Sequence, residues 1–152
     1  AERGSLLGMF ELGRCYRYGL GTRVSPGEAL RWFSKASELG NAESSAWLGD
    51  MYDEGVAPVV DRDVDRAFRL YESSHRQGCF RGTCGLGRCL LWGRGTARDE
   101  RRGVALVREA LSKGRVARAA WVLGDAYREG VGVSRDARRA VKLYRQAAEC
   151  QV

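Results

Sequence analysis

Apolar residues in this chain recur at helical spacing, and the pattern returns four times. In each copy a Leu-Gly pair is followed three residues later by Tyr or Leu, and three residues after that by Gly. The copies are Leu12-Gly13/Tyr16/Gly19, Leu48-Gly49/Tyr52/Gly55, Leu86-Gly87/Leu90/Gly93 and Leu123-Gly124/Tyr127/Gly130. The glycines of successive Leu-Gly pairs are 36, 38 and 37 residues apart. A fixed period of this length is typical of stacked helical repeats.

Each copy predicts two helices. The first, roughly residues 5–18 in the first copy, ends in three copies at a Gly-x-Gly turn, where glycine supplies the positive φ of a helix terminus. The second begins after a capping residue at a constant distance: Ser25, Asp63, Asp99 and Asp136. In the first copy, Pro26 and Glu28 follow the cap and predict a capping box.

The second helices carry small and large residues on one face. The residues at i, i+4 and i+7 are Ala29/Phe33/Ala36, Ala67/Tyr71/Ser74, Gly103/Val107/Ala110 and Ala140/Tyr144/Ala147. This spacing predicts close packing of the paired helices around the larger side chain. The second copy replaces the Gly-x-Gly turn with a longer loop, residues 56–60. The third copy has two further glycines, Gly82 and Gly85, that the repeat pattern does not explain.

Charge is distributed unevenly along the chain. The net charge is +7, with −2 in residues 1–76 and +9 in residues 77–152. Such asymmetry is typical of a surface for nucleic acid, acidic peptide or anionic lipid. The arginines that could contact phosphates lie on turns and at starts of second helices: Arg94, Arg98, Arg101, Arg102, Arg108, Arg135, Arg138 and Arg139. We expect them to form an outer edge.

Catalytic and metal sites are not indicated. A Ser-His-Asp triad has to use the single histidine, His75, and no Gly-x-Ser-x-Gly motif precedes it. Zinc ligation by His75 with Cys79 and Cys84 lacks the Cys-x-x-Cys spacing. The glycine-rich stretch 82–87 lacks the lysine of a phosphate loop. The sequence therefore predicts no enzymatic activity, no cofactor and no metal.

The compartment is predicted from segments that the sequence lacks. No apolar run is long enough to cross a bilayer, and the first residues lack the blocks of a secretory signal. Cys15 and Cys89 share a repeat position that also accepts Met51 and Ala126, which indicates buried thiols. We therefore expect a cytoplasmic location, a reducing compartment and no membrane insertion.

The motif Leu-Gly-x-x-Tyr-x-x-Gly-x-Gly, followed by the capped second helix, resembles the Sel-one-like repeat, a relative of the tetratricopeptide repeat. The resemblance covers essentially the whole chain. It implies an all-α fold, a right-handed superhelical α-solenoid of four antiparallel helix pairs. We expect a single domain over residues 1–152, with repeats at about 5–41, 42–79, 80–115 and 116–151, that is a segment of a larger protein. Such proteins are non-enzymatic adaptors and scaffolds for other proteins.

The resemblance also predicts where a partner binds. In the tetratricopeptide superhelix, the side of the first helix opposite its Leu, Gly and Tyr lines a concave groove. Carried over by position, the groove residues are Phe10, Arg14, Arg17, Tyr18, Glu43, Asp50, Asp53, Glu54, Arg81, Arg88, Trp92, Arg118, Trp121, Asp125 and Arg128. Aromatic and arginine side chains are enriched at binding hot spots. The hypothesis is a groove for an extended peptide or a partner helix.

Three alternatives stay open at this point. The aromatic groove residues could instead pack between repeats, as apolar stripes usually do. The basic surface could bind RNA or another nucleic acid. The uncovered residues of the last helix, Val141, Leu143 and Tyr144, could support self-association, because solenoid ends need polar caps for solubility.

Overall fold

The computed structural model describes residues 2–114 and 116–150, and folds them into eight α-helices. The predicted repeat limits at 115 and 151 and the chain ends at 1 and 152 lie outside the described residues. The helices are α1 (Glu2–Tyr18), α2 (Pro26–Glu38), α3 (Ala42–Glu54), α4 (Val64–Arg76), α5 (Phe80–Trp92), α6 (Glu100–Ser112), α7 (Val116–Glu129) and α8 (Ala137–Glu149). The described segments contain no strand, only an isolated bridge between Val56 and Val60.

Two compact units make up the chain, Ala1–Gly82 and Thr83–Val152. In the first unit, α1 packs against α2 and α3 against α4; in the second unit, α7 packs against α8. The core of the first unit includes Phe33, Leu48 and Met51. The core of the second includes Leu91 and Val107. Each predicted helix of the sequence pattern therefore exists.

All four predicted caps of the second helices are confirmed. In each, the cap side chain accepts the backbone N–H of the third residue beyond it. The cap's own N–H donates across the turn to a carbonyl of the preceding first helix. These bonds run from Ser25 to Tyr16, from Asp63 to Tyr52, from Asp99 to Leu90 and from Asp136 to Tyr127, at 2.8 to 2.9 Å between nitrogen and oxygen.

That cross-turn bond makes the capping-box prediction only half right. The Ser25 side chain accepts from the Glu28 N–H at 3.4 Å, as predicted. A full box would also have the Glu28 carboxylate accept the Ser25 N–H. In the structure, that N–H donates to the Tyr16 carbonyl, and the Glu28 carboxylate lies 3.8 Å from Arg31.

Glycines end the first helices as the pattern predicts. The six glycines of the Gly-x-Gly turns, in the first, third and fourth copies, have φ between 64° and 72°. In the second copy only Gly55 does so, and the longer loop closes on itself through reciprocal Val56 and Val60 backbone hydrogen bonds. Val60 is buried by this closure, so the longer loop adds a side chain to the core of the first unit.

The glycine of the Leu-Gly pair is required by the ring on the second helix. A Cβ at Gly49 would lie 2.8 Å from the Tyr71 ring, and one at Gly124 would lie 2.7 Å from the Tyr144 ring. Glycine costs about 1 kcal/mol of helix propensity relative to Ala, and here it permits the ring to rest on the helix backbone. Gly82 is also required by a close neighbour on the preceding helix, because a Cβ there would collide with the side chain of Ser74.

Helix length and polarity decide whether a helix could cross a membrane. Across residues 2–114 and 116–150, none of the helices has the length and apolar character needed to span a bilayer.

Candidate partner-binding surface

The predicted groove residues fall in both units. The first unit contributes Phe10, Arg14, Arg17, Tyr18, Glu43, Asp50, Asp53, Glu54 and Arg81. The second contributes Arg88, Trp92, Arg118, Trp121, Asp125 and Arg128.

Aromatic rings cluster around Trp47 in the first unit. Phe33 stacks on the indole at 5.7 Å between ring centroids. Tyr18 meets it edge-on at 5.6 Å and Phe10 at 6.3 Å. Phe10 is half-buried, whereas Tyr18 is 53% exposed. Tyr18 is therefore the member of this cluster that a partner can reach.

Trp47 is missing from the sequence-based groove residues. It stands two residues before Gly49, a position that the repeat pattern did not assign to the groove side. The sequence does contain one signal for Trp47, because no other copy has an aromatic residue at that repeat position.

Arg81 lies flat against the other part of this cluster. Its guanidinium carbon is 3.8 Å from the centroid of the Trp47 ring. Its Nε and Nη2 donate to one carboxylate oxygen of Asp50, at 2.8 and 2.7 Å. The Tyr71 hydroxyl donates to the other oxygen at 2.6 Å. Two charge-assisted bonds and a stacking contact hold the arginine in one orientation.

Asp50 and Asp53 differ from the sequence expectation, because both are buried. The buried Asp50 carboxylate binds the Arg81 guanidinium and is not exposed to solvent. Of the four acidic groove residues predicted in the second copy, only Glu43 and Glu54 are therefore exposed.

Ion pairs border the exposed part of the first unit's surface. Arg17 lies 3.5 Å from Glu54 and connects α1 to α3. Arg14 lies 3.1 Å from Glu11, and its guanidinium is 5.9 Å from the Phe10 ring. Exposed pairs of this kind contribute about 0 to 1 kcal/mol to stability. Their main effect here is to fix the charge pattern around Tyr18.

A second polar network joins α5 to α7 in the second unit. The indole N–H of Trp92 donates to Glu129 at 2.7 Å, and Arg128 donates to the other Glu129 oxygen at 2.9 Å. These two donors, the Trp92 N–H first, lower the pKa of the Glu129 carboxyl. Trp92 is half-buried, so its ring is partly packed and partly available.

Trp121 is the exposed aromatic of the second unit. Its side chain on α7 is 46% exposed. Arg118, one turn earlier, and Arg88 on α5 are half-buried.

Asp125 on the same helix joins a further polar network. Its carboxylate accepts a hydrogen bond from the Tyr144 hydroxyl at 2.5 Å and lies 3.2 Å from Arg128. Burial, and then the bond to Asp125, raises the pKa of Tyr144 to about 12.

The described structure contains no disulfide between its five cysteines. Cys89 is buried as predicted, while Cys15 is half-buried. His75 is half-buried on α4, and no group of three His, Cys, Asp or Glu side chains suited to a metal occurs among the described residues.

Comparison with known proteins gives the family. The family model Sel1, described as the Sel1 repeat, matches residues 6–41, 42–79, 81–114 and 117–152. A Sel1 repeat protein from Oxalobacter formigenes is 28% identical, with a TM-score of 0.72, over 95% of this chain and 57% of its own. A protective antigen present in uropathogenic Escherichia coli strains, displaying an SLR fold, is 32% identical with a TM-score of 0.73. That match covers 99% of this chain and 32% of the antigen.

The fold is also that of a Klebsiella pneumoniae protein described as a Sel1 repeat protein. It is 21% identical, with a TM-score of 0.80, over 97% of this chain and 69% of its own. The chain thus spans about half or less of the first two structures it matches. Proteins with these repeats are generally non-catalytic scaffolds for protein–protein interaction. With four repeats matched and the α-solenoid fold class confirmed, the chain belongs to the Sel1 repeat family.

Proposed function

We propose that this chain binds an extended peptide or a partner helix through its groove residues. The observation that carries the proposal is the exposure of two large aromatic side chains on first helices, Tyr18 and Trp121. Each follows an arginine by one helical turn, Arg14 and Arg118, on the same helix side. Large aromatics and arginines are the side chains that dominate interface energetics.

In the first unit, the binding surface consists of Tyr18, Trp47 and Arg81. The ring of Trp47 and the guanidinium of Arg81 are already fixed by Phe33 and Asp50. Because these groups are ordered before a partner arrives, binding loses less side-chain entropy. An apolar side chain against Tyr18, next to a carboxylate that reaches Arg81 or Arg17, suits this arrangement. Asp50 acts as a positioning residue for Arg81.

In the second unit, the proposed contacts are Trp121, Trp92 and Arg128. Glu129 occupies the indole N–H of Trp92, so a partner meets the ring edge or face. Arg128 is exposed and already shared between Asp125 and Glu129. The charges here are mixed, which suits a peptide that carries both signs.

The test is selection of random peptides by display on the intact chain, followed by fluorescence anisotropy of the best binders. Tyr18→Ala or Trp121→Ala should weaken binding at least tenfold, about 1.4 kcal/mol. Matched controls are Leu39→Ala and Val141→Ala, since these side chains are 57% and 55% exposed but lie outside the groove residues. Unchanged binding in both aromatic variants, or equal loss in the controls, would contradict the proposal.

A second candidate function is nucleic-acid binding, and the observation that favours it is the net charge of +9 after residue 76. Affinity for single-stranded RNA would then fall steeply with salt, because phosphate contacts release counterions. A peptide held by aromatic anchors would lose little affinity over the same salt range. The two titrations on the same protein therefore decide between the candidates.

A further inference from the structure

Two arginines from different helices converge on one phenol in the second unit. Arg108 on α6 donates to the hydroxyl oxygen of Tyr127 at 3.3 Å. Arg139 on α8 donates to the same oxygen at 3.2 Å. Tyr127 itself is buried on α7 and packs in the core of this unit, while both guanidinium groups are exposed. Two cations from separate helices therefore converge on the oxygen of one buried tyrosine.

The cluster of Tyr127, Arg108 and Arg139 presents only hydrogen-bond donors to a ligand. A tyrosine hydroxyl has two lone pairs and one proton. Both lone pairs face arginine N–H groups, so the hydroxyl can only donate its proton, and the described residues contribute no acceptor for it. The remaining N–H groups of both guanidinium groups are donors as well.

The charge of the cluster is only partly balanced. Arg139 lies 3.4 Å from the Asp136 carboxylate. For Arg108, no carboxylate of residues 2–114 or 116–150 lies within ion-pair distance. In keeping with this excess of positive charge, the bonds from Arg108 and then Arg139 lower the pKa of the Tyr127 hydroxyl.

The second repeat shows that the double contact is not a general feature of the fold. Tyr52 stands at the same repeat position as Tyr127, and Arg66 at that of Arg139, with its guanidinium over the Tyr52 ring at 4.4 Å. On α2, the helix that precedes the second repeat, Ser34 occupies the position that corresponds to Arg108 on α6. No arginine of the described chain donates to the Tyr52 hydroxyl. Packing of the repeat therefore does not need two guanidinium groups at this oxygen.

We propose that Arg108, Arg139 and the Tyr127 hydroxyl form a binding site for a phosphate monoester, either free or on a phosphorylated side chain. Two guanidinium groups complement the double charge of a monoester, and arginine binds such oxyanions through paired N–H groups. The Tyr127 proton would donate to a third oxygen. A carboxylate or a phosphodiester carries one charge and matches the cluster less well.

The experiment uses the whole chain with inorganic phosphate, phenyl phosphate and a peptide containing one phosphoserine. Binding is followed by phosphorus NMR and calorimetry at constant ionic strength. Arg108→Ser, which copies Ser34 at the equivalent position of α2, should weaken phenyl phosphate binding at least tenfold, and Arg139→Gln should do likewise. Tyr127→Phe should weaken it by about three- to tenfold. Tyr52→Phe is the matched control and should change nothing.

The probes distinguish the source of the phosphate. Tighter binding of the phosphopeptide than of phenyl phosphate would identify a modified protein segment, and equal binding would identify the phosphate group alone. The proposal is overturned if phenyl phosphate binds no better than chloride, or if both arginine variants, folded by circular dichroism, bind it as the parent does. Preference for single-stranded RNA over every monoester would overturn it too.

Discussion

The second and fourth repeats contain the same tyrosine–aspartate bond in different surroundings. Tyr71 donates to Asp50 at 2.6 Å, and Tyr144 donates to Asp125 at 2.5 Å. In the second repeat, Arg81 from the following helix completes the network, and its side chain is 27% exposed. In the fourth, Arg128 from the same helix does so, and it is 57% exposed. The same tyrosine–aspartate bond is thus part of a largely buried ion network in the first unit and of a more exposed one in the second.

The difference shows how the repeat uses its second-helix tyrosine. In the first copy the corresponding pair is Phe33 and Arg14, and in the third it is Val107 and Arg88. The aspartate occurs only where the second helix provides a hydroxyl. The carboxylate therefore needs this donor before it can be buried, because an unpaired buried charge is costly.

The largest effect is expected from removal of the buried carboxylate. Asp50→Ala should lower the free energy of unfolding by about 3 kcal/mol, because it removes the buried carboxylate that accepts from both Arg81 and Tyr71. Asp125→Ala should cost only about 1 kcal/mol, since Arg128 can turn to water. Urea denaturation of both variants measures the difference. Equal losses would show that the two environments are energetically alike.

Replacement of the glycine beneath the tyrosine ring should lower the free energy of unfolding equally in the second and fourth repeats. The losses from the two ion networks, in contrast, should differ. Gly49→Ala and Gly124→Ala each place a Cβ against a tyrosine ring and should lower stability by about 2 kcal/mol. Gly8→Ala on α1 is the control, because nothing lies within 4 Å of its Cβ. That variant should stabilise the helix by up to about 1 kcal/mol. A much smaller cost at Gly124 than at Gly49 would show looser packing in the fourth repeat.

The helix caps should be equivalent as well. Asp63→Ala and Asp136→Ala each remove an acceptor from a backbone N–H and should cost about 1 kcal/mol. The replacements Asp63→Asn and Asp136→Asn keep an acceptor and should recover most of the loss. Thermal unfolding of the four variants measures this. If asparagine restores nothing, the loss does not come from the cap.

The smallest effect concerns the titration of two phenols within the second unit. Tyr144 should ionise at about pH 12, while the arginines make Tyr127 ionise below its ordinary value. Since the folded pKa of Tyr144 exceeds the ordinary value of 10, its contribution to stability is complete below pH 10 and is lost as pH rises to about 12. Ultraviolet titration of Tyr144→Phe and Tyr127→Phe assigns the two steps. Similar pKa values would contradict the different environments.

Local features could be predicted from the sequence because neighbouring residues determine them. The caps at Ser25 and Asp63, and the turn at Gly19, need only a side-chain acceptor or a positive φ at the right distance. The period then predicted the helix pairs. The face with Ala67, Tyr71 and Ser74 likewise predicted close packing of the paired helices, although the contact that requires glycine at Gly49 is visible only in the structure.

Features that depend on contacts between helices could not be predicted in the same way. The helical position of Asp50 is on the expected groove side, yet Arg81, 31 residues later, covers its carboxylate. Trp47 gained its importance from four neighbours on three other helices, α1, α2 and α5. The collision that makes Gly82 necessary involves Ser74, and no pattern in the sequence relates the two. Periodicity gives the facing direction of a residue but not what reaches it from elsewhere.

The bond from each cap N–H to a carbonyl of the preceding helix has a consequence for engineering. It joins main chain to main chain in all four hairpins, so side-chain identity does not enter it. Leu90 makes the bond as well as the tyrosines do, so the turn does not require an aromatic residue at this position. Leu90 and Tyr127 are buried, and Tyr16 and Tyr52 are half-buried. A library that varies residue 16, 52, 90 or 127 among apolar side chains of similar volume should therefore keep the cross-turn bond while it alters the packing between the paired helices.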